Sequence, residues 1–255
     1  MRIWCQRAGG ISSDPMWKDF DLGLRKHART VGRPDTVVDQ YSQESSIVGI
    51  DQYRASLNVA IVQSIKTAIR AEREGYDAFL MVSTADAGFY EIREVVDIPV
   101  VFMLENTLHF ASMFSPTFAF IAHGDRILTL LTQKAKEYGL AENLTPSGHL
   151  GLTYKDWENL YAHPEQYMDA VTKKAKEIAA NGARLLIPVA LPFSIWCVQQ
   201  GIREIAGVPL LDGYGCAVKM TELMVDLKKL GITRNKYGPA QKDVLEAIQQ
   251  MYVPK

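Results

Sequence analysis

The sequence predicts an α/β protein with parallel sheets, and three observations carry that prediction. The stretches 75–88 (Gly-Tyr-Asp-Ala-Phe-Leu-Met-Val-Ser-Thr-Ala-Asp-Ala-Gly) and 182–192 (Gly-Ala-Arg-Leu-Leu-Ile-Pro-Val-Ala-Leu-Pro) each open on glycine and run through a continuous apolar segment. Such runs suit central parallel strands covered on both faces. Strand-like and helix-like patterns alternate along the chain, which is the signature of βαβ crossovers. The strand–turn–helix order starts over near residue 117, and 255 residues with 47% hydrophobic content accommodate two modest cores.

In order, residues 2–6 form a short opening strand and 7–10 the turn after it. Ser13, Asp14 and Pro15 signal a helix start, because a side-chain cap satisfies one orphan amide and proline removes another. That helix is expected to reach about residue 30, and 36–40 is a second strand before a polar loop. Over 52–74 the apolar residues Leu57, Ala60, Ile61, Ile65 and Ile69 recur at helical spacing. After the strand at 78–82 a helix is expected through 89–95, a strand over 99–103 and a short helix over 105–114. A second lobe begins with the strand 117–121 and a helix over 126–138 that Gly139 ends in a left-handed conformation. Residues 141–156 read as irregular apart from a short strand near 149–152. Helices over 164–180, 194–206, 214–230 and 239–252 surround strands at 184–189 and 208–211. The predicted lobes are 1–104 with 211–255, and 105–210.

A formal net charge of -1 provides no field for polyanions or anionic lipid, so neither nucleic acid nor membrane is an expected partner. No apolar run approaches the ~20 residues that span a bilayer, and the opening residues lack a signal-peptide pattern. Cys5, Cys197 and Cys216 show no metal-ligand spacing and read as reduced thiols of a cytoplasmic protein. No metal or cofactor is predicted. The expected partners are a small-molecule carboxylate or cyclic amide and further copies of the chain.

In open α/β sheets the residues after the carboxyl ends of the strands face the ligand crevice. That rule nominates Ser83, Thr84 and Asp86, and likewise Val189, Ala190 and Leu191. The turn at 83–86 offers backbone amides suited to a carboxylate or an oxyanion. His123 follows the strand 117–121, where an imidazole can move protons near neutral pH or can simply cap the next helix. Glu105 and His109 share one helix face, either as a catalytic pair or as a structural i, i+4 contact. His27, His149 and His163 fall in polar, surface-like contexts. Cys197 reads as a buried structural thiol, and a helix start near Cys216 is expected to lower its pKa. Tyr214 follows the last strand and is expected to reach the crevice.

The two apolar stretches, together with 99–111 (Pro-Val-Val-Phe-Met-Leu-Glu-Asn-Thr-Leu-His-Phe-Ala) and 207–219 (Gly-Val-Pro-Leu-Leu-Asp-Gly-Tyr-Gly-Cys-Ala-Val-Lys), resemble the aspartate/glutamate/hydantoin racemase superfamily, nearest its hydantoin racemase branch. The resemblance runs from residue 1 to about 230 and lies in four weak motifs in the right order. It implies two similar flavodoxin-like lobes related by a pseudo-twofold, with the site in the cleft between them. It also implies cofactor-independent isomerisation by one cysteine after each of two strands. Here Ser83 stands at the first of those positions and Ala190 at the second. Two-base racemisation needs two carriers of comparable pKa, which serine and alanine do not supply. By the same resemblance Ser45 and Ser46 match a loop that helps close the site, and Gln6 and Arg7 replace a turn that contacts substrate, where Arg7 is suited to a carboxylate. The expectation is therefore a lyase, decarboxylase or isomerase in which His123 moves a proton next to a carbonyl, helped by Ser83 or Asp86. The alternatives are a hydrolase with Ser83 as nucleophile and His123 as base, and a non-catalytic carboxylate-binding protein.

Overall fold

The structure is a computed structural model that describes residues 1–9, 17–43, 53–153, 156–233 and 242–254. β1 (Arg2–Arg7) leads to α1 (Lys18–Val31), β2 (Val37–Tyr41), α2 (Arg54–Arg73), β3 (Ala78–Val82), α3 (Phe89–Val95) and β4 (Val100–Phe102). These strands pair in parallel in the order β2-β1-β3-β4. The chain then enters α4 (Met103–Phe114), β5 (Ala119–Ala122), α5 (Asp125–Glu137), β6 (Gly148–His149), α6 (Asp156–Ala162), α7 (Glu165–Ala180), β7 (Leu186–Pro188) and α8 (Leu191–Gln199). A second parallel sheet results, in the order β6-β5-β7. β8 (Glu204–Ile205) and β9 (Val208–Pro209) form a small antiparallel hairpin before α9 (Gly213–Lys229) and α10 (Lys242–Tyr252). The predicted α/β class with two parallel-sheet lobes is the observed one.

Side chains alternate across each strand, so each sheet feeds two cores. Trp4, Phe79, Met81, Val100 and Phe102 point to one side of the first sheet and pack with Ile65 and Ile69 of α2 and Ile92 of α3. Ile3, Cys5, Leu80, Val82 and Val101 point to the other side. There they join a continuous cluster with Leu24 of α1, Val218 of α9, Trp196 of α8, and Ala119, Ile121 and Leu186 of the second sheet. Phe118, Phe120, Ile187 and Val189 take the last face, against Leu104 and Leu108 of α4 and Leu131 of α5. The middle core therefore belongs to both sheets.

Two elements differ from the sequence expectation. α6 lies between the irregular segment expected over 141–156 and the helix expected from 164, where no element was assigned, and it buries Trp157 and Leu160. Its start is fixed by Thr153, whose amide and hydroxyl donate to the Asp156 carboxylate at 2.6 and 2.7 Å. The helix expected to run to 206 stops at Gln199, with Gly201 at φ 67°, and the chain turns into the β8–β9 hairpin. Among the described residues no helix is long and apolar enough to cross a membrane, and no group of three or more His, Cys, Asp and Glu could hold a metal ion.

α4 and α9 approach closely at Gly213. A Cβ there would meet Thr107 Oγ1 at 2.4 Å, while that hydroxyl donates to the Met103 carbonyl at 2.7 Å inside α4. Gly213→Ala is thus expected to destabilise the protein by about 1–3 kcal/mol through overpacking, as measured by urea unfolding. The variant Thr107→Ala should relieve much of that cost, because it removes both the hydroxyl oxygen and the methyl group that the new Cβ meets.

Candidate active site

Four strand ends supply the site. At the end of β1, Gln6 accepts a hydrogen bond from the Trp4 indole at 3.1 Å and donates to the Arg7 carbonyl at 3.0 Å, so its amide is held in place. The Arg7 guanidinium is buried, lies over Phe20 at 5.3 Å and pairs with Asp21 at 2.6 Å. The positive charge expected to meet a substrate carboxylate already has an internal counter-ion. After β3, the Ser83 hydroxyl accepts from the Ala85 amide at 3.1 Å, which leaves its own O–H to donate. Thr84 beside it is buried. The turn then passes through Asp86 at φ 45° and Gly88 at φ 79°.

His123 follows β5. It is 2% exposed, its ring meets Trp157 of α6 edge-on at 5.6 Å between centroids, and its carbonyl accepts from the Leu152 amide at 2.8 Å. After β7, Ala190 has φ 77° at the start of α8, and both it and Leu191 are buried. A positive φ costs a residue with a Cβ of order 1–3 kcal/mol. Of the three non-glycine residues with positive φ among those described, Asp86 and Ala190 lie just past the two apolar strands. Val82, Ile121, Trp157, Ala190 and Leu191 belong to one buried cluster, so residues at or just past the ends of β3, β5 and β7 border the same largely apolar interior. Ser45 and Ser46 lie outside the described residues.

The acidic candidates are engaged. Asp86 Oδ1 accepts from the Leu104 amide at 3.0 Å, and Oδ2 accepts from the Glu105 amide at 2.7 Å and the Tyr138 hydroxyl at 2.8 Å. Burial pushes its pKa up to about 7 against the pull of these three donors, and the nearby Glu105 charge adds to the rise. Glu105 does not orient His109. It pairs with Arg93 at 2.6 Å, while His109 is exposed.

Three further sequence expectations are corrected. His27 is buried, not superficial, and its Nε2 lies 2.6 Å from Asp212, which also caps α9 through the Gly215 amide at 2.9 Å. Burial acts to raise the Asp212 pKa, but His27 and the amide outweigh it and hold the carboxyl below its usual range. Tyr214 does not reach the strand-end crevice: it is buried against β2, where its hydroxyl accepts from Gln40 at 2.7 Å. Cys216 is not activated by the start of α9, since burial and then the Asp212 charge push its thiol up to about 11. Cys5 within β1 and Cys197 within α8 are both pushed up to about 12, chiefly by burial.

The fold defines an α/β protein with two parallel sheets that share a buried interior. A family model described as Asp/Glu/Hydantoin racemase matches residues 12–221, and the chain belongs to that family. In sequence it is similar to the hydantoin racemase of Pseudomonas sp. (strain NS671), with 27% identity over 237 residues that cover 89% of this chain and 90% of that one. In structure it is similar to the allantoin racemase from Klebsiella pneumoniae, with a TM-score of 0.77, 21% identity and 95% of each chain covered. The glutamate racemase from Francisella tularensis subsp. tularensis SCHU S4 in complex with D-glutamate gives a TM-score of 0.64 at 13% identity, covering 100% of this chain and 94% of that one. These structural likenesses show a shared two-lobe fold.

The raised pKa of Asp86 has a consequence for stability. A carboxyl whose folded pKa lies above its unfolded value of 3.8 favours the native state fully below that value and loses the contribution as pH rises to about 7. Wild-type stability is therefore expected to fall relative to Asp86→Asn over that interval, by at most ~1.4 kcal/mol per pH unit. Chemical unfolding of both proteins at pH 4, 5.5, 7 and 8 measures the slope, and parallel profiles would contradict it. Glu105, Arg93, Tyr138, Glu137 and Lys134 surround this carboxyl from α3, α4 and α5 and are unchanged between the two proteins.

Proposed function

We propose that this chain is a cofactor-independent isomerase of small carbon acids in which the His123 imidazole, rather than a pair of thiols, moves the proton next to a carbonyl. The position of His123 supports the reading: it follows β5 and is buried against Trp157, a member of the cluster that also holds Val82, Ala190 and Leu191. Cys5, Cys197 and Cys216 lie inside β1, inside α8 and on α9, and burial holds all three thiols protonated near neutrality. The racemase relatives support isomerisation over hydrolysis or decarboxylation.

In this reading His123 removes the proton, the adjacent carbonyl becomes an enolate, and the imidazolium returns a proton to the planar carbon once the intermediate has turned its other face to it. The turn after β3 is buried at Ser83 and Thr84, so a donor there meets the developing oxyanion in a region from which water is largely excluded. The Ser83 hydroxyl, with its proton left to donate, serves the β3 side of the intermediate. Substrate charge follows from Arg7. Because Asp21 already neutralises that cation, a neutral cyclic amide suits the site better than a free carboxylate, whose burial without a counter-ion is costly. Residues 1–104 with 211–255, and 105–210, are taken as the lobes on either side of the site. The packing of α9 on β3 and β4 and of α10 on α2 and α3 supports that division.

The test is exchange of the α-hydrogen in heavy water, followed by proton NMR with 5-substituted hydantoins, allantoin and glutamate as probes. Exchange is expected with the cyclic amides in preference to glutamate. His123→Asn and His123→Ala are expected to lower kcat by ~10²- to 10⁴-fold, with the larger fall in Tm for His123→Ala, which opens more space against Trp157. Cys197→Ala and Cys216→Ala should retain turnover. Full exchange in the His123 variants, or its loss in Cys197→Ala, would overturn the assignment.

A further inference from the structure

Asp86 gathers three donors from two different helices. Leu104 and Glu105 provide the first-turn amides of α4, where the chain leaves the first sheet, and Tyr138 provides a hydroxyl at the end of α5, the helix that follows His123. Around this carboxylate the Phe89 ring lies 5.1 Å from Phe102 and 5.5 Å from Tyr138. The Arg93 guanidinium sits over Phe89 at 4.2 Å and pairs with Glu105 at 2.6 Å. The turn that ends here has a fixed shape. Ser83 closes onto the Ala85 amide, Asp86 is held at φ 45°, and a Cβ on Gly88 would meet Ile92 at 2.9 Å.

From this geometry we propose that Asp86 is a positioning residue of the reaction, tying the Ser83–Thr84 turn of one sheet to α4 and to Tyr138 of the other so that the turn amides are held in register with His123. The proposal rests on the reading of His123 as proton carrier. Asp86 itself is badly placed to carry protons, because two of its three partners are backbone amides that cannot leave without unwinding the first turn of α4. The carboxylate is the right group for the task, since only an acceptor with two oxygens receives two successive helix amides and a hydroxyl together. Asparagine keeps the left-handed backbone that aspartate tolerates and retains one acceptor oxygen, so it separates position from proton transfer.

The experiment compares Tyr138→Phe, Asp86→Asn and Asp86→Ala with wild type by α-hydrogen exchange on a 5-substituted hydantoin, reading kcat and KM separately. Tyr138→Phe is expected to lower kcat ~10-fold and Asp86→Ala ~100-fold, with Asp86→Asn between them and KM little changed, as expected for a small misplacement of reacting groups. Asparagine as inactive as alanine, beside a Tyr138→Phe protein of wild-type rate, would make Asp86 the proton carrier and overturn the proposal. Wild-type kcat in all three would overturn it too. Should the wild type exchange none of the probes, the reading of function fails separately, and amide NMR still tests the tether. Asp86→Asn and Tyr138→Phe should speed hydrogen exchange at Leu104 and Glu105 and shift the Ser83, Thr84 and His123 signals, whereas unperturbed signals would count against it.

Discussion

The constraint on which the rest depends is that a parallel sheet must be covered on both faces. The first sheet turns Ile3, Cys5, Leu80, Val82 and Val101 toward the same interior that receives Ala119, Ile121 and Leu186 from the second. One core therefore serves two sheets, and α1, α8 and α9 occupy it from both sides. Fixing that core orients the strands, and the orientation of the strands decides where their carboxyl ends meet. The position of the site is in this sense a by-product of burial.

Charge is treated consistently around that interior. Arg7 meets Asp21, His27 meets Asp212 and Arg93 meets Glu105, each at 2.6 Å and each with one or both partners largely buried. A buried charge left alone costs several kcal/mol, so these pairs spend on structure the groups that the sequence made available for chemistry. His27 shows the effect clearly, because Asp212 fixes it and at the same time holds the first turn of α9. The proposed preference for a neutral substrate rests on this, because the Arg7 cation at the end of β1 is already met by Asp21.

The parts of this architecture that depend on local pattern were legible in the sequence. β3 reads as an apolar run between Gly75 and Ser83, α3 was placed on Phe89–Val95 as observed, and Gly139 ends α5 at φ 74° as expected. The parts that depend on distant partners were not. His27 lies 185 residues from Asp212, and nothing near it in the chain distinguishes a buried imidazole from a superficial one. Tyr214 was assigned to the crevice by its place after a strand, yet Gln40, 174 residues away, holds its hydroxyl inside. Cys216 follows a helix start, and that local rule yields the wrong sign because burial outweighs it. α6 is different, for its signal was present: Thr153 and Asp156 stand at the spacing of a reciprocal cap, just before the apolar residues Trp157 and Leu160.

The same balance between burial and local polarity bears on which group moves protons in this fold. A thiol is useful as a base only as thiolate, and desolvation penalises the charged form. In this chain the cysteines have been carried into β1, α8 and the flank of α9, where burial raises them far from neutrality. Imidazole is affected differently, because its neutral form is the base and burial favours that form. Burial among apolar side chains such as Trp157, Ala190 and Leu191 is thus hostile to a thiolate without a cationic neighbour. Arg7, the one cation on a strand end described here, is held by Asp21 and is not available to stabilise a thiolate. The burial of the three thiols and the internal neutralisation of Arg7 leave His123, at the end of β5, as the group on which the proposed proton transfer rests.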